Sequence, residues 1–89
     1  MSSIKDLKKE INYLFGEVID EANYKQLLNP DVDGQQVEAI IEEAVAAYED
    51  FYKQINEGRK AEDKKAYFKN LTKAIEETAD QLVDKINAL

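Results

Sequence analysis

The chain has 89 residues with 19 acidic and 12 basic side chains, a net charge of −7, no cysteine and no histidine. This composition removes disulfides, thiolate nucleophiles and cysteine-based metal sites. The missing histidine also removes the commonest general acid–base, the usual zinc ligand, the common catalytic triads and the Glu-x-x-His motif of di-iron bundles.

At this length the expectation is one domain, residues 1–89. Three glycines and one proline leave few places to turn, which favours long helices over strands. The N-terminus is charged by residue 5 and has no apolar run of a secretory signal. No later stretch approaches the ~20 apolar residues of a membrane span. The expected location is the cytoplasm, away from membranes.

The first helix is expected over about residues 4–28. Ser3 and Asp6 form a capping pair ahead of a stripe at Ile4, Leu7, Ile11, Leu14 and Val18, which drifts to Phe15, Ile19 and Ala22. Gly16 within it reads as the close approach of a neighbouring helix. Pro30 ends the segment, because the residue before a proline avoids the α region.

The second helix is expected over 34–57. Asp33 is its N-cap, Gln36 occupies the return position of a capping box, and Val32 and Val37 occupy the two places of a hydrophobic staple. Val37, Ile41, Ala44, Tyr48, Phe51 and Ile55 follow at alternating spacings of four and three, the seam of a packed helix. Ile40, Val45 and Tyr52 widen that seam toward two neighbours. Gly58 is placed to end the helix in the left-handed conformation.

A third helix is expected over 61–88, with Glu62 and Asp63 in its first turn. Its stripe is Phe68, Leu71, Ile75, Thr78, Leu82, Ile86 and Leu89. Short connections make consecutive helices antiparallel neighbours, so the expected fold is all-α, an up-down-up antiparallel three-helix bundle. The alternative is a two-helix hairpin with an arm that pairs only in a dimer. The run Ile4-Lys5-Asp6-Leu7-Lys8-Lys9-Glu10-Ile11-Asn12-Tyr13 resembles a group of small, uncharacterised all-helical bacterial proteins. That resemblance implies an all-α fold and a cytoplasmic bacterial protein, and it implies no activity, ligand or functional residue.

Folding the chain this way separates its charge. Residues 1–12 and 50–70 gather at one pole with a net +3, while residues 13–49 and 71–89 gather toward the other with −10. So acidic a chain is a poor nucleic-acid binder. The acidic pole would suit a basic partner, unless the charges of both poles serve only solvation and helix-to-helix ion pairs, such as Asp50 or Glu57 with Lys64 or Lys65 at the other pole.

Asn29, Asp31, Asp33 and Gly34 match the opening positions of an EF-hand calcium loop. The match stops at Ile40, which stands where the bidentate Glu belongs. Glu42-Glu43, Glu76-Glu77 and the pair Glu17 and Glu21 read as solvated faces, because acid–base work needs a carboxyl in an apolar pocket. Ser2, Ser3, Thr72 and Thr78 have no base to activate them. Tyr24, Leu27, Leu28 and Tyr52 exceed what a minimal core requires, and they either widen it or form a partner surface.

The expected protein is therefore not an enzyme and has no cofactor. It is a helical protein-interaction or structural protein, its partner another protein or a second copy, with interaction candidates Glu38, Glu42, Glu43, Tyr24, Leu28 and Tyr52. The alternative is a weak divalent-cation (calcium) binder through Asn29, Asp31 and Asp33.

Overall fold

The computed structural model describes residues 4–89. Among them the chain forms α1 (Ile4–Leu28), α2 (Gly34–Glu57) and α3 (Lys64–Asn87), with a 3-10 turn at Gly58–Lys60. Each helix packs on both others, in a rod of 49 × 16 × 16 Å.

Side-chain contacts fix the directions. Lys8 of α1 lies over Tyr52 of α2, and farther along α1 Asn12 meets Tyr48. Glu43 of α2 meets Lys85 near the end of α3, while the main chain at Gln54 meets Tyr67 near its start. Rising numbers on one helix meet falling numbers on the next in both pairs, which makes an up-down-up bundle. No described helix is long and apolar enough to cross a membrane.

The first connection follows its local signals. Asp33 accepts a hydrogen bond of 2.9 Å from the Gln35 N–H and so caps α2. Val32 and Val37 are both buried, as a staple requires. The capping box itself does not form: the Asp33 carboxylate accepts from Gln35 rather than from Gln36, whose backbone N–H goes to the Asp33 main-chain carbonyl at 3.1 Å. Ser3 lies outside the described residues, and with it the capping pair with Asp6.

The second connection departs from expectation. Asp63 is the cap of α3 rather than part of its first turn: its carboxylate accepts from the Ala66 N–H at 3.1 Å. That bond satisfies an otherwise open helical donor and delays α3 to Lys64. Gly58 is right-handed, with φ −61° and ψ −19°, so no left-handed cap forms. Its lack of a side chain serves packing instead. A Cβ there would fall 2.5 Å from Phe68 Cζ and 2.7 Å from Tyr67 Cε1. Gly16 is the reverse case: a Cβ would meet nothing within 4 Å, so no helix approaches it closely.

Helix α1 buries Leu7, Ile11, Phe15, Val18 and Ala22, and α3 buries Leu71, Ile75, Ala79, Leu82 and Ile86. Both follow spacings of four, four, three and four, wider than the alternation of three and four that pointed to Leu14 and Thr78. At ~100° per residue, five positions with those spacings fall within an arc of ~80°, and Leu14 and Thr78 lie just outside its edge. In α2, Ile40 is buried where Ile41 was expected, and Ile41 and Tyr48 are half-buried beside it.

The core holds no buried polar or charged residue among those described. Its aromatic half lies toward the start of α1. Phe15 packs against Phe51 at 6.1 Å between ring centroids and edge-on to Tyr48 at 6.5 Å. The hydroxyl groups stay satisfied at the edge, Tyr48 donating to Asn12 Oδ1 and Tyr67 to the Gln54 carbonyl at 2.8 Å.

The two glycines give opposite expectations. Gly16→Ala should stabilise the fold by ~0.5–1 kcal/mol, because a helix interior prefers alanine and the site is open. Gly58→Ala should destabilise it by ~1–3 kcal/mol through overpacking against Phe68 and Tyr67. Urea unfolding of both variants measures the signs, and equal signs would contradict this packing.

Candidate interaction surface at the acidic pole

The six residues singled out from the sequence do not form one surface. Tyr24 and Leu28, near the end of α1, are 60% and 66% exposed, and Leu27 between them is 76% exposed. Glu38 and Glu42 are exposed on α2, with Glu38 above the junction of α2 with Gln26 of α1. Glu43 is engaged: Lys85 Nζ donates to both of its oxygens at 2.8 and 2.9 Å, tying α2 to α3.

Tyr52 belongs elsewhere. It is half-buried in the opposite half of the rod, 5.8 Å from the Tyr48 ring, with Lys8 Nζ 4.7 Å from its centroid. The cation over its face and the ring beside it absorb the apolar area that appeared surplus in the sequence. The ion pairs expected between Asp50 or Glu57 and Lys64 or Lys65 do not form either, and Asp50 instead accepts from Gln54 Nε2 at 2.7 Å.

The structure assembles a groove that the sequence did not single out. Between α1 and α3 lies an open channel of about 520 Å³. Its floor is Leu14, Val18, Ala79 and Val83. Glu17, Asp20 and Glu21 of α1 and Asp80 of α3 stand along it, Tyr24 and Asn87 lie at one end, and no lysine or arginine lines it. The signal was present as Glu17, Glu21 and Tyr24 at helical spacing on α1 and Asp80, Val83 and Asn87 on α3. Only the pairing of the two helices shows that these rows face one another.

Compared with protein-family models, with curated proteins and with solved structures, the chain matches none. The site therefore has to be read from its own chemistry. All the described carboxylates reach solvent, and none is held in an apolar pocket. No three His, Cys, Asp or Glu side chains converge on a metal position among the described residues. In the calcium-like loop, Asp33 spends its carboxylate on the α2 cap, and the Asn29 carbonyl accepts from the Val32 N–H at 3.1 Å.

Tyr13, 69% exposed, reports the local field of this side of α1. Glu17, one turn on, holds its phenol above the ordinary value of 10.0, through hydrogen bonding first and negative charge second. The folded chain thus keeps that proton more tightly than the unfolded chain. The contribution to folding is present below pH 10 and is lost as pH rises through the raised value. Glu17→Gln should bring the Tyr13 midpoint back toward 10.0, followed by NMR of the ring carbons. A midpoint that does not move would remove Glu17 as the cause.

Proposed function

We propose that this chain is a non-catalytic helical protein-interaction or structural protein that works through its acidic pole, in the cytoplasm of a bacterium. The observation that carries the reading is the exposure of Tyr24, Leu27 and Leu28 at the end of α1, within the half of the chain that carries −10. Single exposed apolar residues are ordinary on any protein. Three within five positions, next to an apolar-floored groove, form a patch of the kind that partners cover. The surrounding carboxylates disfavour nucleic acid and anionic membrane surfaces. Their exposure also means that none of them is enclosed in the apolar pocket that acid–base catalysis recruits. The cytoplasmic setting is supported by the absence of cysteine and by the resemblance of residues 4–13.

Immobilised full-length chain, with capture compared at low and high salt and sedimentation run in parallel, tests the reading. A protein partner or second copy should be retained at low salt, released at high salt, and lost from Tyr24→Ser/Leu28→Ser. A strictly monomeric chain would overturn it if its captures ignored salt, this double variant and charge reversal at Glu38, Glu42 and Glu43.

A further inference from the structure

We infer that the groove between α1 and α3 seats a basic amphipathic helix of another protein; this rests on the interaction reading above and names the partner's chemistry. Two properties of the groove occur together. Its floor is apolar, built from Leu14, Val18, Ala79 and Val83, and its four flanking charges are all negative.

Each simpler occupant fails on one of these. A wholly apolar helix would strip water from Glu17, Glu21 and Asp80 with no counter-charge, which is costly for carboxylates. A wholly polar cationic segment would leave the floor uncovered. A second copy presenting the same face would set carboxylates against carboxylates. An amphipathic helix with lysine or arginine flanking its apolar stripe satisfies both floor and rim.

The span limits its size. Leu14 to Tyr24 covers eleven positions of α1, ~15 Å from first to last at 1.5 Å per residue, so the seated segment has about three turns. Tyr24 at the end of the groove presents an open ring to which an arginine or lysine of the partner can bind.

The test is fluorescence anisotropy with a labelled peptide of about 14 residues, leucines at helical spacing and lysines and arginines on the flanks. A scrambled peptide of the same composition and one with glutamate for each basic residue serve as comparisons. In about 50 mM salt, where exposed charges are weakly screened, the amphipathic basic peptide should bind and the two others should not. Binding should weaken about tenfold for Glu17→Lys/Asp80→Lys and less than about twofold for Glu38→Lys/Glu42→Lys. The amides that shift should be those of residues 14–24 and 79–87.

Equal binding of the scrambled peptide would overturn the inference by reducing it to generic charge attraction. Loss at Glu38→Lys/Glu42→Lys instead would move the seat to α2, overturning the groove while sparing the interaction reading. Binding of no peptide, with capture still lost in Tyr24→Ser/Leu28→Ser, would do the same. A second copy covering the groove amides without peptide would also overturn it. Should circular dichroism show the lysine pair unfolded, Glu17→Gln/Asp80→Asn replaces it, and undiminished peptide binding by that pair would overturn the inference.

Discussion

Phe15 sits where α1 and α2 meet, 1% exposed, with the edge of Tyr48 on one side and the ring of Phe51 on the other. It is the largest of the fully buried side chains in a domain too short for a second core. Its seat sets the register of the two helices. With Phe15 placed between Tyr48 and Phe51, Asn12 falls opposite Tyr48 and Lys8 opposite Tyr52, so the hydroxyl and the cation find their partners without further adjustment. Tyr67 and Phe68, stacked edge to face at 5.4 Å, close the same half, and Gly58 is the space they need.

The other half is built differently, and its openness follows. Along the line where α1 faces α3, the lining side chains Val18, Ala79 and Val83 are short. They leave a channel that longer residues would have filled. The carboxylates beside it remain in water, so their mutual repulsion costs little while the groove is open. The ion pair of Glu43 with Lys85 lies at the α2–α3 seam and contributes only about 0–1 kcal/mol, and it brings no positive charge to the groove lining. Aromatic packing is thus concentrated in one half, and open apolar surface flanked by carboxylates in the other.

Much of this was legible in residue order. The cap at Asp33 and the staple of Val32 and Val37 are local devices, made by residues a few positions apart, and they appear where their pattern placed them. Glycine was less legible, because one residue type answers several needs. Gly58 follows a helix as a left-handed cap would, yet it is right-handed and is required by two rings from the next helix. Gly16 suggested a close approach that no neighbour makes. In the candidate surface, Tyr24, Leu28 and Tyr52 all exceed a minimal core by their place in the sequence, yet Tyr24 and Leu28 are exposed and Tyr52 is half-buried. What separates them is the helix opposite: Tyr52 has Lys8 and Tyr48 beside it, and Tyr24 lies at the open end of the groove.

By itself, the order of residues determined the number of helices, the bounds of the first two, the antiparallel succession and the partition of charge between the poles. Those depend on caps, breakers and connection lengths, which act within a few residues. Tertiary structure alone decided between sequence neighbours at the edge of the two later stripes: Ile40 over Ile41 and Ala79 over Thr78. Adjacent residues on a helix point ~100° apart, and either can border an apolar face, so the choice belongs to the helix packed against it. The groove arises in the same way. Its acids and its floor come from residues of two helices that lie more than fifty positions apart in the sequence, and only the packing of α1 on α3 makes them one surface.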